Sequence, residues 1–233
     1  MNVEPSLRPA SERAFDAIAS LYDTFFDTPL GRTVDALEKD LLYGLARLER
    51  GERALDVGTG TGHFAADLVG RGLRAIGVDL SGPMLAQARR KGTRAHWVRG
   101  DAARLPLASE SFDLVLSVTA LEFVARPEAA VQEMWRVARK GGRLVIGVLN
   151  ARGPWAWARR RESRARETPF SQARFLSSRE FVGLLRQLGP VQWSSSVFIG
   201  PRGLGLRSAW LLERIGRRWF KRFGALLVGR VEK

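Results

Sequence analysis

The chain has no cysteine among its 233 residues, and only two histidines, His63 and His96. Without cysteine there is no disulfide, no thiolate metal site and no cysteine nucleophile, and two histidines are too few for a histidine-rich metal centre. We therefore expect no bound metal. The lack of cysteine also fits the reducing environment of the cytoplasm, which is the location we expect.

Long apolar runs are missing too. No stretch approaches the roughly 18 apolar residues that a membrane-spanning helix needs. The first five residues also lack the basic segment and apolar core of a secretory signal. With 45% hydrophobic residues, the chain can still bury a sizeable core. These properties predict one large domain, or a domain with an appendage.

Acidic residues are scarce in the last third of the chain. Residues 1–150 carry 20 Arg and Lys against 19 Asp and Glu, whereas residues 151–233 carry 18 against 5. The net charge of +14 therefore lies almost wholly in the C-terminal third. Such an asymmetry suggests an anionic partner, which could be nucleic acid, a membrane surface or an acidic substrate. An arginine-rich genome composition would give the same pattern, so charge alone does not decide.

The chain does have a glycine-rich loop after a short apolar stretch. Residues 54–57 have the pattern of a strand buried on both faces, and Gly58, Gly60 and Gly62 follow before a helical pattern begins at His63. Glycine permits turns that a Cβ forbids and lets the backbone approach a ligand. A strand, a glycine loop and a helix start predict a cradle for a nucleotide-type cofactor. The spacing also fits the dinucleotide fingerprint, so a nicotinamide-dependent oxidoreductase is an alternative.

Strand and helix patterns then alternate up to residue 150. This rhythm predicts an α/β fold with a doubly wound parallel sheet, whose ligand lies at the carboxyl ends of the strands. Two amphipathic helices, at 11–26 and about 30–48, precede it and could cover the cofactor site. We assign residues 1–50 to an N-terminal helical cap. The further strands are predicted at 73–79, 96–98, 112–118, 144–149, 191–199 and 225–228.

A carboxylate closes the second predicted strand. Asp79 follows Asp56 by 23 residues, near the separation expected of an acid that binds both ribose hydroxyls of a nucleoside. A carboxylate suits this task because its two oxygens accept two hydrogen bonds in parallel. The alternative is that Asp79 only caps the helix that follows it.

In their order, these motifs resemble the class I S-adenosylmethionine-dependent methyltransferases, and more narrowly the small-molecule group typified by ubiquinone/menaquinone C-methyltransferases. The resemblance covers residues 50–150. Dinucleotide enzymes have no reason to carry the later blocks in this order, so the oxidoreductase becomes a remote alternative. The motifs are Asp56-x-Gly58-x-Gly60-x-Gly62, Asp79 with Leu80-Ser81 and Met84, Gly100-Asp101-Ala102 with Leu105-Pro106, and Phe112-Asp113 through Leu121 followed by Gly141-Gly142.

The resemblance implies S-adenosyl-L-methionine as the cofactor and S-adenosyl-L-homocysteine as the product. It also implies a Rossmann-like seven-stranded sheet in the order 3-2-1-4-5-7-6, with the last strand antiparallel. A methyltransferase domain would then span 51–233, with 151–176 inserted as an arginine-rich lid. The cofactor-binding residues we expect are Tyr22, Asp56, Gly58, Thr59, Gly60, Asp79, Leu80, Met84, Asp101, Ala102 and Val118.

Two acids are candidates for a catalytic base, Glu122 and Asp23. Methyl transfer is an in-line displacement, so positioning of the acceptor supplies most of the catalysis, worth roughly 7 to 11 kcal/mol. A base is needed only where the acceptor is protonated and weakly acidic. Relatives often have histidine at the position of Glu122 or its neighbour Phe123, so a base at Glu122 departs from the group. The alternative for both acids is a structural or solvated role.

The basic C-terminal third allows two functional interpretations. Its arginines could form a lid over a small, anionic methyl acceptor, or a basic helix at 207–222 could bind an anionic membrane surface or RNA. For that helix the ordinary arrangement is that Leu211, Ile215, Trp219 and Phe223 pack on the sheet while the arginines face water. We expect methyl transfer to a small molecule, with RNA or membrane action as the alternative and a non-catalytic cofactor-binding protein as a remote one.

Overall fold

A computed structural model describes residues 15–165 and 168–233. Within these residues, seven strands form one sheet in the order β3-β2-β1-β4-β5-β7-β6. β7 runs antiparallel to both of its neighbours, and the other pairs are parallel. The predicted sheet order and the antiparallel last strand are therefore confirmed. The strands are β1 (Arg53–Val57), β2 (Arg74–Asp79), β3 (His96–Arg99), β4 (Phe112–Val118), β5 (Ala138–Leu149), β6 (Gln192–Ser196) and β7 (Leu226–Glu232).

Helices cover both faces of this sheet. α4 and α6 pack on one face, α1 and α2 pack on the other, and α7 packs against α1 and the end of β6. Serine or threonine caps begin several of them; the hydroxyl of Thr28, for example, accepts the N–H of Gly31 at 2.9 Å at the start of α1. The helices are α1 (Pro29–Ala46), α2 (His63–Gly70), α3 (Gly82–Arg90), α4 (Pro127–Val137), α5 (Pro154–Ala165), α6 (Ser178–Arg186) and α7 (Ala209–Trp219).

The central strands are buried on both faces, as their continuous apolar sequence predicts. In β4, Val115 belongs to the core under α4, whereas Leu114 and Leu116 belong to the core under α1 and α2. Successive side chains of a strand point to opposite faces, so a mostly apolar run fits between two helical layers. The buried hydroxyl of Ser117 in β4 is satisfied because it donates to the Val57 carbonyl at 2.8 Å. This arrangement fixes the carboxyl ends of β1 and β4 side by side at one edge.

α1 belongs to the same core as the sheet. The buried guanidinium of Arg143 on β5 donates to the carbonyls of Ala46 and Arg47 at the end of α1, and forms a bidentate pair with Glu52 at 2.7 Å. Because the last carbonyls of a helix have no partner within the helix, a buried arginine there satisfies them and fixes the helix on the sheet. The division of the chain at residue 50 stays a prediction.

The first predicted helix differs from the structure. Residues 15–18 are helical, a turn follows, and Tyr22–Asp27 forms a separate 3₁₀ helix; residues 11–14 lie outside the described residues. Tyr22, Phe25 and Phe26 recur at a spacing of three to four, which suits three residues per turn as well as 3.6. The prediction of one continuous helix was therefore wrong in its second half.

The orientation predicted for the basic helix is also wrong. Leu211, Ile215, Trp219 and Phe223 do not pack on the sheet; their exposed fractions are 49, 41, 73 and 51%. The face of α7 that is buried carries Ala209, Glu213 and Gly216 instead.

Among the described residues, no helix has both the length and the apolar character required to traverse a bilayer.

Candidate functional site

One cavity of about 2170 Å³ opens at the carboxyl ends of the parallel strands. It is wider than the 300–1,000 Å³ usual for a single small ligand, so it can hold a cofactor and an acceptor together. The order of the sheet reverses between β1 and β4, which is where ligands bind in open α/β sheets. The cavity therefore lies where the sequence predicts a nucleotide site.

The glycine loop after β1 forms one wall of the cavity. The N–H groups of Gly58 and Thr59 both donate to the carbonyl of Val78, at 2.8 and 3.0 Å, which ties the loop to β2. Gly58 has φ +74°, and a Cβ there would lie 2.2 Å from the methyl of Ala120. Only glycine fits such a position, both for its backbone angle and for the space.

Asp79 joins the loop to the next helix. Its Oδ2 accepts the N–H of Gly60 at 2.7 Å, and its Oδ1 accepts the N–H of Ser81 at 2.9 Å. Burial raises the pKa of this carboxyl, and the backbone donors oppose that rise. The N-cap of α3 is Ser81, which accepts the N–H of Met84 at 3.1 Å. The carboxylate at the tip of β2 is thus held in place from both sides, and it keeps lone pairs that face the cavity.

The other predicted cofactor residues fall into two groups. Asp56 is buried under the glycine loop rather than in the cavity wall; it accepts the hydroxyl of Thr59 at 2.6 Å, and burial raises its pKa to about 6. Asp56 therefore positions the loop. The residues that do line the cavity are Tyr22, Gly58, Thr59, Gly60, Asp79, Leu80, Met84, Asp101, Ala102 and Val118.

Residues 15–27, the covering segment, form the opposite wall. Tyr22 shares a hydrogen bond with the side chain of Thr119 at the end of β4, and burial together with the carboxyl of Glu38 raises the tyrosine pKa to about 12. Phe26 stacks on His63 with ring centroids 4.1 Å apart. His63 in turn contacts Asp35 of α1 at 2.7 Å. The covering segment is therefore fixed to the loop, to β4 and to α1.

Asp23, the second candidate base, lies outside the cavity lining. Its carboxylate accepts the hydroxyl of Thr61 at 2.7 Å and pairs with the ammonium of Lys91 at 2.7 Å. These contacts tie the covering segment to the glycine loop and to α3. A base role for Asp23 stays a prediction, and the structure places this carboxylate away from the cavity lining.

Glu122 has the opposite environment. It lies in a 3₁₀ turn, Leu121–Phe123, and is 2% exposed. Its Oε1 accepts the N–H of Leu149, and its buried Oε2 has no hydrogen-bond partner within the described residues. Burial raises the pKa of Glu122 to about 7, against the opposing effect of the Leu149 N–H and the charge of Arg159. A buried carboxyl poised near neutral pH with a free oxygen is what general base catalysis requires.

Two further residues line the cavity, Arg159, which the sequence offered only as one arginine of the predicted lid, and Glu38, which sequence reasoning missed. Arg159 of α5 lies between the rings of Trp155 and Phe170, with its guanidinium carbon 5.1 and 5.2 Å from their centroids. Its buried Nη1 has no partner among the described residues. Burial lowers its pKa and raises that of Glu38 to about 8. The sequence gives no reason to separate Arg159 from the other arginines of the predicted lid.

The cavity wall fits the cofactor that the motifs imply. No atom lies within 4 Å of the place where a Cβ on Gly60 would stand, so the loop presents bare backbone to open space. Asp79 offers its free lone pairs to a vicinal diol. Asp101, which is exposed, accepts the N–H of Ala103 at 2.8 Å and is thereby oriented at the end of β3. A nucleoside with a ribose diol and a polar base edge would meet these groups.

Comparisons with known proteins agree with this fit. A sequence profile described as a methyltransferase domain matches residues 55–146. An uncharacterized protein of Methanocaldococcus jannaschii is 31% identical over 175 residues, which are 75% of this chain and 80% of that protein. The demethylmenaquinone methyltransferase of Beutenbergia cavernae is 39% identical over 147 residues, 61% of this chain, and the chain spans only 58% of that protein's length.

Solved structures give the same answer for the whole fold. A SAM-dependent methyltransferase of Thermotoga maritima superposes with a TM-score of 0.72 at 26% identity, over 94% of this chain and 97% of the other. The match includes the C-terminal third, which the sequence profile does not reach. With the ordered motifs, the strand order 3-2-1-4-5-7-6 and the cofactor cradle in place, this chain belongs to the class I S-adenosylmethionine-dependent methyltransferases.

Proposed function

We propose that this enzyme methylates a small, largely apolar molecule whose reacting group must lose a proton, and that Glu122 takes that proton. The observation that supports this most directly is the buried, unpartnered Oε2 of Glu122, a residue that lines the cavity. An unsatisfied buried carboxylate oxygen costs free energy of folding, and a catalytic role would account for it. A pKa of about 7 lets Glu122 exist in both protonation states near neutral pH.

Arg159 is the proposed partner for the charge that forms on the acceptor. Its Nη1 is buried without a partner, and the flanking rings hold the guanidinium in one orientation. A positive group in a water-poor wall stabilises a developing oxyanion more than it would in solvent. We assign the two residues complementary roles: Glu122 removes the proton, and Arg159 binds the resulting anion while the bound cofactor supplies an electrophilic methyl group.

The lining of the cavity indicates the rest of the acceptor. Aromatic side chains dominate the side opposite the cofactor loop, and Arg174 fixes the turn that carries Glu122 by donating its N–H to the Glu122 carbonyl at 2.9 Å. An aromatic wall favours a flat or hydrocarbon-rich acceptor. We propose that residues 151–176 act as its lid. The aromatic residues are Phe15, Phe123, Trp155, Trp157 and Phe170.

The relative from Beutenbergia cavernae suggests the first acceptor to test, reduced demethylmenaquinone. The hydroxyl groups of this quinol are weakly acidic at neutral pH, so methylation of the ring or of an oxygen would use a base.

A cytoplasmic location stays a prediction that rests on the lack of cysteine. Action on RNA stays an alternative, and a closed aromatic wall around Glu122 does not favour it.

The test compares the parent with Glu122→Gln, which keeps shape and hydrogen bonding but removes the base. We expect methyl transfer to reduced demethylmenaquinone to fall about 10²- to 10⁴-fold, with S-adenosylhomocysteine affinity unchanged in calorimetry. The parent rate should rise with pH through an apparent pKa near 7. Glu128→Gln, at an exposed position of α4 outside the cavity lining, is the matched control and should keep the rate within a few-fold. A Glu122→Gln variant as active as the parent would exclude the base role, and a parent that binds S-adenosylhomocysteine but never transfers methyl would favour the non-catalytic alternative.

A further inference from the structure

The helix α7 buries small residues and exposes large apolar ones, which is the reverse of an ordinary surface helix. Its inner face consists of Ala209, Glu213 and Gly216. The Oε2 of Glu213 accepts the N–H of Val197 at 2.9 Å, and a Cβ on Gly216 would lie 2.2 Å from the ring of Phe198. Small residues and a buried carboxylate therefore attach the helix to the protein. The large apolar side chains are left for the other face.

That outer face forms a contiguous apolar surface. Leu211, Ile215 and Trp219 recur every four residues, so they form one ridge along the helix, and Trp210 lies beside it at 57% exposure. The chain after the helix adds Phe220 and Phe223, which are 55 and 51% exposed. Exposed apolar patches of this kind mark interaction sites in proteins. We call residues 210–223 the α7 surface.

The charge on the α7 surface is of one sign. Residues 200–224 contain a single acid, Glu213. Its carboxylate accepts the N–H of Val197 and forms an ion pair with Arg217, whose Nε lies 2.8 Å from Glu213 Oε1. Arg217 is also fixed to Asp40 of α1 at 2.7 Å. Exposed cations remain around the apolar ridge without an acid among them. They are Arg202, Arg207, Arg214, Arg218, Lys221 and Arg222.

We propose that the α7 surface docks onto an anionic lipid membrane. Its tryptophans and phenylalanines would enter the headgroup region, and the arginines and Lys221 would bind lipid phosphates. Tryptophan at the interface, aliphatic residues below it and cations around it are the composition of helices that lie on anionic membranes. Docking does not depend on the proposed acceptor, because the ridge residues Leu211, Ile215 and Trp219 lie outside the cavity lining.

Two other occupants fit less well. A second copy of the chain would bring two sets of exposed cations together at a symmetric interface, and like charges oppose that association. Single-stranded RNA binds through phosphates and through bases stacked on aromatic rings. The ridge instead places Leu211 and Ile215 between its rings, and Leu204 is 82% exposed nearby. Aliphatic side chains offer no aromatic ring on which a base could stack, whereas they are stable in the hydrocarbon of a membrane.

The α7 surface adjoins the mouth of the cavity. Arg202, Leu204 and Gly205, in the loop before α7, all line the cavity. A docked molecule would therefore open its acceptor site towards the bilayer. If the proposed apolar acceptor is correct, it reaches the site from the lipid phase without crossing water.

The experiment is co-sedimentation of the full chain with vesicles of phosphatidylcholine, with or without about one third phosphatidylglycerol, at physiological salt. We expect the parent to bind only the anionic vesicles. Arg214→Gln/Arg218→Gln should reduce the partition coefficient about 30-fold, from about a factor of five for each cation near an anionic surface. The control, Arg179→Gln/Arg186→Gln on exposed positions of α6, removes the same charge elsewhere and should change it less than twofold.

A second variant tests the apolar part. Leu211→Gln/Trp219→Gln should reduce binding at least tenfold and keep the parent's unfolding temperature and S-adenosylhomocysteine affinity, because neither side chain packs on the core. The proposal would be overturned by no binding of the parent to anionic vesicles, by equal losses for the α6 control, or by a vesicle-free dimer in light scattering that the apolar variant breaks. Equal vesicle binding by Leu211→Gln/Trp219→Gln and the parent would also overturn it, since a purely electrostatic surface would serve RNA equally well.

Discussion

Replacing Asp79 by asparagine tests how the cofactor is held. The carboxylate binds two backbone N–H groups, Gly60 at 2.7 Å and Ser81 at 2.9 Å, one from each side of the site. Each oxygen has about two lone-pair positions, so both oxygens can also accept a ribose hydroxyl. In Asp79→Asn one of these oxygens becomes an NH₂ donor. That atom then faces a backbone donor, and it also loses its bond to the diol.

The magnitude follows from the bonds lost. A hydrogen bond to a charged group contributes about 1.5–3 kcal/mol, and each 1.4 kcal/mol changes an equilibrium constant tenfold. Loss of one such bond to the ribose should therefore weaken S-adenosylhomocysteine binding about 10- to 150-fold. The lost bond to the loop or to α3 adds to this, because the cradle is then held from one side only. The affinity of the variant for S-adenosylhomocysteine should therefore be lower than that of the parent at every pH where Asp79 of the parent is ionised.

Isothermal titration calorimetry with S-adenosylhomocysteine measures this directly and needs no acceptor. Asp113→Asn is a matched control, because Asp113 accepts the N–H of Arg53 at 2.7 Å and pairs with Arg139, yet lies outside the cavity lining. We expect the control to lose stability but to keep its affinity within about twofold. If Asp79→Asn binds as tightly as Asp113→Asn, the carboxylate does not hold the cofactor and the reasoning fails.

Three further predictions concern the scaffold. Gly58→Ala has no room for its methyl and an unfavourable φ, so it should lower both the unfolding temperature and S-adenosylhomocysteine affinity; an unchanged affinity in calorimetry would contradict the tight loop. Arg143→Leu leaves the half-buried carboxylate of Glu52 and two carbonyls at the end of α1 without their donor, and should cost about 3 kcal/mol, seen as a fall of about 6–12 °C in thermal unfolding. Burial raises the pKa of Glu122 to about 7 and of Glu38 to about 8, so folding loses stability as the pH rises through these values. The double variant Glu122→Gln/Glu38→Gln should therefore show a smaller fall in unfolding temperature between pH 6 and 8 than the parent. An equal fall in the two proteins would show that neither carboxyl is buried in its neutral form.

The sheet and the cofactor cradle could be predicted because their causes are local. A strand between two helical layers must be mostly apolar, as β4 is, and a loop that presents backbone to a ligand needs glycine at Gly58 and Gly60. The end of β7 was missed because Gly229 and Arg230 resemble a turn. In the structure Gly229 makes room for Leu185 and Phe181, and Arg230 donates to the carbonyl of Leu45 at 3.1 Å.

The acceptor side and α7 depend on contacts between distant segments. Arg159 is buried only because Phe170 and Trp155 close on it, and nothing in the run of arginines distinguishes it from its neighbours. The rule that apolar residues face inward failed for α7, because its inner face is fixed by Glu213 and by the space that Gly216 leaves for Phe198. Helices that break this rule are expected where a surface has a function other than stabilising the fold.

The covering segment connects the two halves of the cavity. Phe15 meets the ring of Phe123, next to Glu122, with centroids 4.7 Å apart, while Asp16 receives the hydroxyl of Ser81 at the start of α3. One short segment therefore touches both the turn that carries Glu122 and the start of the helix that follows Asp79, so a displacement of this segment would disturb both ends of the cavity together.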